Sequence, residues 1–223
     1  MFITFEGIEG CGKTTQIKRL GKKMGAYGIP HVTTLEPGGT KIGERIRRIL
    51  LDAKNRNLSS LTELLLYIAD RSQHVEEVIK PALDQGRWVM CDRFFDATVA
   101  YQGAARGQDL KLVRDLNNIA TQGIRPDITF LLDCPVEVGL ERALRRNETD
   151  PEQGQDRFER EKINFHLKVR EAYLELAEKY KKRFVVIDAT LSMDDMEEEI
   201  FRYISPFIKK MRSHSIYLSS EHK

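Results

Sequence analysis

The sequence GIEGCGKT, residues 7–14, follows the apolar run at 2–6 and precedes a helical pattern over 13–26. It fits the phosphate-binding motif G-x-x-x-x-G-K-S/T in the strand–loop–helix context that the motif requires. Its glycines let several backbone N–H groups point at phosphate oxygens, and the helix N-terminus adds partial positive charge. The motif predicts that Lys13 reaches the β- and γ-phosphates of ATP and that the Thr14 hydroxyl binds Mg²⁺. A glycine-rich turn with a surface lysine is the alternative.

Short apolar runs alternate with longer helical patterns along the rest of the chain. The runs ITFLL (128–132) and FVVI (184–187) are apolar on consecutive residues, as in strands buried on both faces of a parallel sheet. The alternation predicts a doubly wound α/β fold with helices on both faces of the sheet. We expect strands at 2–6, 31–35, 88–91, 128–133 and 184–188, and helices at 13–26, 41–54, 60–85, 108–122, 135–147, 158–182 and 194–211.

Three features of the sequence limit the extent of the predicted helices. Pro81 should kink or shorten the third helix, because proline has no backbone N–H to donate. The polar segment NETDPEQGQ, 147–155, is typical of an exposed loop between two helices. Residues from Ser213 onward show no periodicity, so we expect one domain over 1–211 and a loosely ordered tail over 212–223.

The composition excludes several classes of protein. The chain has 223 residues, 41% of them hydrophobic and 31% charged, with a net charge of only +2, which indicates no nucleic-acid or membrane partner. Its three cysteines, Cys11, Cys91 and Cys134, have no metal-ligand spacing and are expected in a reducing cytoplasm. We expect neither a signal peptide nor a membrane span, because no window approaches the ~20 apolar residues that a span needs.

A phosphate-binding loop does not by itself identify the acceptor, since GTPases, transport ATPases and small-molecule kinases share it. The sequence has neither an N-K-x-D-type motif, expected of a GTPase, nor the signature helix and Asp-Glu strand of an ABC-type ATPase. Asp92 and Arg93 instead follow the strand at 88–91, at the edge where open α/β sheets bind ligands. An arginine there can clamp a phosphate, although an ion pair that caps the strand is an equal alternative.

Seven segments of the chain, among them FEGIEGCGKTTQ, LEPGGTKIGERIR and CDRFFDATVAYQGAARG, carry a family resemblance. Together they resemble the thymidylate kinase family, in its bacterial type with lid arginines. The resemblance covers about residues 2–208 and implies a three-layer P-loop kinase fold, with a five-stranded parallel sheet flanked by helices and a lid at about 142–159. It implies transfer of the γ-phosphate of ATP to dTMP, giving dTDP and ADP, by a cytoplasmic homodimer. The matching segments are FEGIEGCGKTTQ, LEPGGTKIGERIR, LLLYIADRSQHVEEVIKPAL, CDRFFDATVAYQGAARG, PDITFLLDCPVEVGLERA, DRFE and VVIDAT.

The resemblance assigns residues to the phosphate and sugar of dTMP and to magnesium. Arg47 and Arg93 are expected to hold the dTMP phosphate. Glu9 is expected near the sugar 3′-hydroxyl, whose hydrogen a carboxylate can accept. Glu36 and Asp92 are expected around the magnesium ion and the transferring phosphoryl group, directly or through water, with Glu36 also beside dTMP.

The resemblance also assigns residues to the thymine base. Tyr67 is expected to stack on the ring and Arg71, four residues later on the same helix face, to donate to O4. Gln102 offers both a donor and an acceptor to the base edge, with Thr98 beside it, and Tyr101 is expected to fill the space of a ribose 2′-hydroxyl. The alternatives are that both tyrosines are core aromatics, that the glutamine is a surface amide, and that Arg71 pairs locally with Asp70 or Glu76.

The resemblance places the catalytic arginines either in the phosphate-binding loop or in the lid. The loop of this chain contains no arginine, so the lid is expected to supply the positive charge that phosphoryl transfer needs. Which lid arginine closes over the phosphates stays open, since the lid loop is longer than usual and a solvated charge run is the alternative. The expected catalytic residues are Lys13, Asp92, Arg93, Arg145, Arg146 and Arg157. The expected ATP-binding residues are Gly7, Glu9, Gly10, Cys11, Gly12, Lys13, Thr14, Thr15, Arg142, Asp188, Ala189 and Thr190.

Two other functions stay open at this point. Another nucleotide or deoxynucleoside kinase would share most of these residues, because thymine differs from uracil by one methyl group, worth only ~1–3 kcal/mol. A non-catalytic P-loop regulator would also bind nucleotide, but it would give no role to Glu36, Asp92, Arg93 and the lid arginines. Phosphorylation of dTMP in preference to other acceptors distinguishes the three.

Overall fold

The five apolar runs form one parallel sheet in the order β2-β3-β1-β4-β5. The computed structural model describes residues 1–55, 57–149 and 157–220. β1 pairs with β3 and with β4, so the phosphate-binding loop leaves the central strand. The strands are β1 Phe2–Glu6, β2 His31–Leu35, β3 Trp88–Asp92, β4 Ile128–Asp133 and β5 Phe184–Asp188. The predicted strands and fold class are confirmed, with β3 one residue longer than expected.

Helices cover both faces of the sheet. Along β3, Met90 packs with apolar residues of the helices that follow β1 and β5, whereas Val89 and Cys91 pack with the helical region that precedes β3. This alternation explains why the strands are apolar on consecutive residues. The helices are α1 Lys13–Ala26, α2 Lys41–Leu51, α3 Ser60–His74, α4 Lys80–Asp84, α5 Phe95–Thr98, α6 Leu110–Thr121, α7 Val136–Thr149, α8 Ile163–Lys179 and α9 Met193–Ser220.

The predicted third helix is interrupted, as its proline indicates. A π-helical segment, Val75–Ile79, joins α3 to α4, and the Lys80 N–H donates to Val75 O in the wide π pattern. Pro81 follows in the first turn of α4, where its missing N–H costs least. The predicted single helix over 60–85 is therefore three consecutive helical segments.

Other boundaries also differ from the expectation. α5 and a second π-helical segment, Val99–Ala105, were not predicted. α8 begins at Ile163 rather than at 158, and α9 continues to Ser220, so the expected boundary at 211 falls inside a helix. The predicted 147–155 loop lies mostly outside the described residues, since α7 extends to Thr149. Among the described residues, no helix has the length and apolar character that crossing a membrane requires.

Candidate active site

A cavity of about 450 Å³ opens at the carboxyl ends of β1, β2 and β3. Its volume suits a small ligand, and its position is where α/β sheets bind them. The phosphate-binding loop forms one end, and α3 together with the second π-helical segment forms the other. Its lining contains the residues predicted for dTMP, namely Glu9, Glu36, Arg47, Tyr67, Arg71, Arg93, Thr98, Tyr101 and Gln102, together with Gly10, Lys13, Thr14, Asp92 and Arg146 from the other predicted sets.

The phosphate-binding loop is packed closely against α7. Gly10 has φ +69°, and a Cβ there would lie 1.9 Å from the Gly139 carbonyl oxygen, so only glycine fits. The Lys13 ammonium donates to Gly7 O at 3.1 Å and to Ile8 O at 2.7 Å. Cys11 is fully buried beneath it. The loop therefore presents backbone and lysine groups, not the thiol, to the cavity.

Thr14 and Asp92 meet at the mouth of this loop. The Thr14 hydroxyl donates to Asp92 Oδ2 at 2.6 Å, although the two residues are far apart in sequence. A hydroxyl and a carboxylate are oxygen ligands of the kind that Mg²⁺ takes beside substrate phosphates. Among the described residues, no three acidic, His or Cys side chains form a metal cluster. The pair fits an ion that draws its other ligands from phosphates and water.

Arg93 directs its guanidinium toward Glu9 from a strained backbone. Its φ is +67°, in the left-handed region that a residue with a long side chain rarely adopts. Such conformations concentrate at functional sites. Arg93 donates to Glu9 Oε1 at 3.1 Å and lies over the ring of Tyr101 at 4.8 Å. The strained backbone conformation therefore accompanies a guanidinium that is positioned beside the phosphate-binding loop.

Glu9 is ionised despite deep burial. Burial alone raises its pKa, but His166, Arg93 and Lys13 outweigh burial and hold the pKa at about 2. The Tyr101 hydroxyl donates to Glu9 Oε1 at 2.6 Å, and His166 Nδ1 lies 3.2 Å from Oε2. Glu9 is therefore a fixed carboxylate that can accept further hydrogen bonds within the cavity.

A buried ion network organises the opposite end of the cavity. Arg71 is 1% exposed, and its Nε donates to Glu36 Oε2 at 2.8 Å. Its NH1 donates to Thr98 Oγ1 at 2.9 Å and to Asn117 Oδ1 at 2.7 Å. The local pairing of Arg71 with Asp70 or Glu76, considered from the sequence, is not what the structure shows. Arg71 is anchored by a partner that is distant in sequence and follows β2.

The surroundings of Glu36 do not suit a metal ligand. Its second oxygen, Oε1, lies 2.9 Å from His74 Nδ1, while Oε2 accepts from Arg71. Both oxygens of this buried carboxylate are already engaged by basic groups. The structure thus places Glu36 in the cavity lining but favours Thr14 and Asp92 over Glu36 for magnesium.

A second buried carboxylate, Glu63, collects three donors behind the cavity wall. Gln102 Nε2 donates to Glu63 Oε1 at 2.9 Å, and Arg106 Nε donates to the same oxygen at 3.2 Å. Arg157 NH2 donates to Oε2. Arg157 also donates to Leu50 O at 2.5 Å. This candidate lid arginine is therefore bound at the far end of the cavity wall and away from the phosphate-binding loop.

The three expected catalytic lid arginines occupy different places. Arg146 lines the cavity and donates to Glu159 at 3.2 Å. Arg145 is largely exposed and pairs with Glu141 one helical turn earlier. Arg157 binds Glu63 instead. Of the three, the structure brings only Arg146 to the cavity. Most of the lid loop, 150–156, lies outside the described residues.

The ATP-binding residues predicted outside the phosphate-binding loop, Arg142 and 188–190, do not line the cavity. Arg142 NH1 donates to Ala189 O at 2.8 Å, which joins α7 to the end of β5. Asp188 accepts from the Thr190 N–H and hydroxyl in the turn that follows. Gly7, Cys11, Gly12 and Thr15 complete the phosphate-binding loop and the start of α1 without lining the cavity.

Known proteins share this architecture and sequence. Residues 5–200 match the family model described as thymidylate kinase. A thymidylate kinase of Geobacter sp. (strain M21) is 56% identical over 189 residues, which is 85% of this chain and 84% of the relative. A thymidylate kinase of Pelobacter propionicus is 55% identical over 199 residues, 89% of this chain and 91% of the relative. This chain belongs to the thymidylate kinase family. The crystal structure of thymidylate kinase from Ehrlichia chaffeensis matches with a TM-score of 0.73 at 36% identity, covering 92% of this chain and 98% of that one.

The sequence analysis missed several polar residues of this thymidylate kinase family site. Glu63 could have been found, because it stands four residues before Tyr67 and eight before Arg71 on one helix face. Asn117 and His166 come from distant helices and carried no local signal. His74 lies on α3, three residues after Arg71, but its partner Glu36 follows β2, so the pairing had no local signal either. Tyr173, whose hydroxyl accepts from Arg93 at 3.2 Å, was missed for the same reason.

Proposed function

We propose that this chain transfers the γ-phosphate of ATP to the 5′-phosphate of dTMP, giving dTDP and ADP. The observation that carries the proposal is the continuous cavity that joins the phosphate-binding loop to a polar pocket of base size. The family membership of the chain supports the same reaction. The two substrates enter the cavity from opposite ends, and their phosphates meet between Lys13 and Arg93.

The charged side chains of the cavity have separate roles in the proposed phosphoryl transfer. Lys13 leaves the loop carbonyls to bind the β- and γ-phosphates, as lysine does in this motif. Arg47 and Arg93 line the cavity and clamp the acceptor phosphate, for which the planar guanidinium is suited. Arg146 brings positive charge from the lid to the migrating group. As the family resemblance implies, closure of the lid that carries Arg146 would exclude water that otherwise hydrolyses ATP.

Magnesium is the cofactor of this proposal. Thr14 Oγ1 and Asp92 Oδ2, which lie 2.6 Å apart, would hold the ion directly or through its water shell. The ion would supply positive charge that offsets the negative charge of the transferring phosphates. Glu36 contributes through Arg71 and His74, which engage its two oxygens.

The far end of the cavity recognises thymidine. Tyr67 lines the wall and stacks on the base, and the Arg71 guanidinium donates to O4. Gln102 binds the N3 edge beside Thr98. Glu9 accepts a hydrogen bond from the sugar 3′-hydroxyl, and Tyr101, which donates to Glu9, occupies the space of a 2′-hydroxyl. Adenine binds on the other side, near Arg142 and Ala189.

The proposal includes a single catalytic domain that acts as a homodimer in the cytoplasm. Exposed apolar side chains on α2, α3 and α6 support a shared interface; they include Ile49, Leu61, Leu65, Leu112 and Ile119. Exposed apolar residues on neighbouring helices are typical of association surfaces. The cysteines Cys11, Cys91 and Cys134 are free and buried, which suits a reducing compartment. Sedimentation of the purified chain measures the oligomeric state.

The decisive test is the acceptor preference of the purified chain with Mg²⁺ and ATP. ADP release is measured with dTMP, dUMP, UMP and dCMP separately, and kcat/KM is obtained for each. We expect the highest kcat/KM with dTMP. A higher value with another acceptor would replace dTMP in the proposal, and nucleotide binding without ADP release on any acceptor would favour a regulator instead.

A further inference from the structure

We propose that Glu63 is a positioning residue that fixes the orientation of the Gln102 amide and thereby selects a base with an N–H donor at position 3. Glu63 does not line the cavity, whereas Gln102 does. The inference rests on the proposed function and goes further, since it assigns discrimination between thymine and cytosine to a residue that does not touch the base.

The surroundings of Glu63 hold it as a fixed acceptor. Its side chain is 1% exposed and lies between two arginines, with Arg106 Nε 3.2 Å from Oε1 and Arg157 bonded to Oε2. Arg106 is held in turn by Glu161 at 2.7 Å. An ionised carboxylate offers acceptor sites only. Any neutral neighbour that bonds to Glu63 must therefore present a donor to it.

Gln102 is the neutral neighbour that meets this requirement. It is 1% exposed, and its Nε2 lies 2.9 Å from Glu63 Oε1. A glutamine amide has a donor NH₂ on one side and an acceptor oxygen on the other. Because Glu63 can only accept, the NH₂ must face Glu63, and the amide oxygen is left for the cavity side. Glu63 thus settles an orientation that the glutamine by itself leaves free.

This orientation matches one kind of pyrimidine edge. Thymine carries an N–H donor at N3 and an acceptor at O4, whereas cytosine carries an acceptor at N3 and an amino donor at C4. The Gln102 oxygen accepts from a donor at N3, and the Arg71 guanidinium donates to an acceptor at position 4. A cytosine would meet acceptor against acceptor and donor against donor. Buried polar groups that lose their partner discriminate strongly between ligands.

The variant Glu63→Gln tests the assignment, because it keeps the size of the side chain and removes the accept-only character. The new amide can still accept from Arg106 or Arg157 and can give its NH₂ to the Gln102 oxygen, which turns the Gln102 NH₂ toward the cavity. We expect the ratio of kcat/KM for dTMP to that for dCMP to fall at least about tenfold. We expect KM for dTMP to carry the change and kcat to stay within about twofold.

A double-variant cycle separates positioning from a structural role. Gln102→Met removes the amide, so adding Glu63→Gln to that variant should leave the dTMP to dCMP ratio where Gln102→Met puts it. Asp96→Asn is the matched control: it also removes the charge of a buried carboxylate paired with an arginine, Arg183, and should leave the ratio unchanged. Thermal unfolding of every variant records the stability cost.

The outcomes distinguish this inference from the proposed function. A wild-type chain without activity on dTMP removes the proposed function and the inference with it. A wild-type chain that prefers dTMP, with an unchanged ratio in Glu63→Gln, overturns the inference alone. A further fall in the ratio when Glu63→Gln is added to Gln102→Met overturns it as well, because Glu63 would then act by another route.

Discussion

The two ends of the cavity are built in different ways. At the phosphate end, Lys13 bonds to carbonyls of its own loop, and Thr14 bonds to Asp92 at an exposed position. The other end is the one that the proposed function gives to the base, and it is called the base end here. There Glu36 and Arg71 are both nearly inaccessible to solvent, and Arg71 Nε and NH2 both lie 2.8 Å from Glu36 Oε2. At the phosphate end, the side chains can exchange their present hydrogen-bond partners for a ligand. At the base end, the charged side chains are fixed by one another.

The proposed function explains this difference by the chemistry of the two ligands. Phosphates are charged and bind to any well-placed cation, so a lysine on a flexible stem and backbone N–H groups are sufficient. A base is neutral, and its donors and acceptors must be matched in position, which requires side chains held in one geometry. A buried pair such as Glu36–Arg71 gives that geometry at the cost of desolvating two charges.

The largest expected effect comes from Lys13→Met at the phosphate end. Removing the ammonium should lower kcat about 10³-fold, because the phosphates lose a cation in the transition state. The free energy of unfolding should stay within about 1 kcal/mol, since the hydrogen bonds of the ammonium are to neutral groups of its own loop. Steady-state kinetics and urea unfolding measure the two quantities. Lys22→Met, at an exposed position on the same helix, is the control.

For Arg71→Met at the base end, we expect a large loss of stability rather than a large loss of kcat. The change leaves the buried Glu36 carboxylate with His74 alone, and breaking a buried pair in this way costs about 3–5 kcal/mol. KM for dTMP should rise as well, because O4 loses its donor. Urea unfolding and the dTMP concentration dependence measure both effects. A stable Arg71→Met protein with full dTMP affinity would remove the contrast between the two ends.

Substitution of each of three lid arginines in turn tests which of them acts at the phosphate end. Arg146→Ala should lower kcat about 10²-fold, the magnitude for one electrostatic donor in a transition state. Arg157→Ala should instead raise KM for dTMP, because it loosens Glu63 at the base end. Arg145→Ala should have the smallest effect of the three. If Arg157→Ala shows the largest loss of kcat with KM unchanged, the lid closes with Arg157 over the phosphates.

The smallest expected effect is a pH dependence of stability from Asp70. Burial, and then repulsion from Glu36, raise its pKa to about 6 from the ordinary value of 3.8. The folded state thus binds the proton more tightly, so this stabilisation is complete below about pH 4 and is lost as pH rises through 6. The shift corresponds to roughly 2 kcal/mol over this range. The difference in unfolding free energy between wild type and Asp70→Asn should fall by this amount from pH 4 to 7, and a constant difference would contradict it.

The two ends also differ in how far the sequence predicts them. The phosphate end follows from a contiguous motif, so Lys13 and Thr14 can be assigned from the order of residues alone. The strands were predictable because apolar residues on consecutive positions indicate a buried parallel sheet. The residues predicted for dTMP were assigned through the family resemblance, and all of them line the cavity.

The network that holds the base end was not predictable to the same degree. Local pairing was the alternative considered for Arg71, but its partner Glu36 comes from the end of β2, and such long-range pairing has no local signature. The helical segments over 95–105 were missed because small residues and tyrosine give no clear helical period there. Glu63 had a signal in its four-residue spacing from Tyr67, which helix geometry makes meaningful.

The most direct test of the central claim is a competition between acceptors in one reaction. Equal concentrations of dTMP, dUMP, UMP and dCMP are mixed with the purified chain, Mg²⁺ and limiting ATP, and the diphosphates formed early are separated and quantified. Their proportions give the relative kcat/KM values directly. If the fixed base end selects thymidine, dTDP will exceed every other product. A mixture in which another diphosphate predominates, or in which all four form equally, would contradict the account.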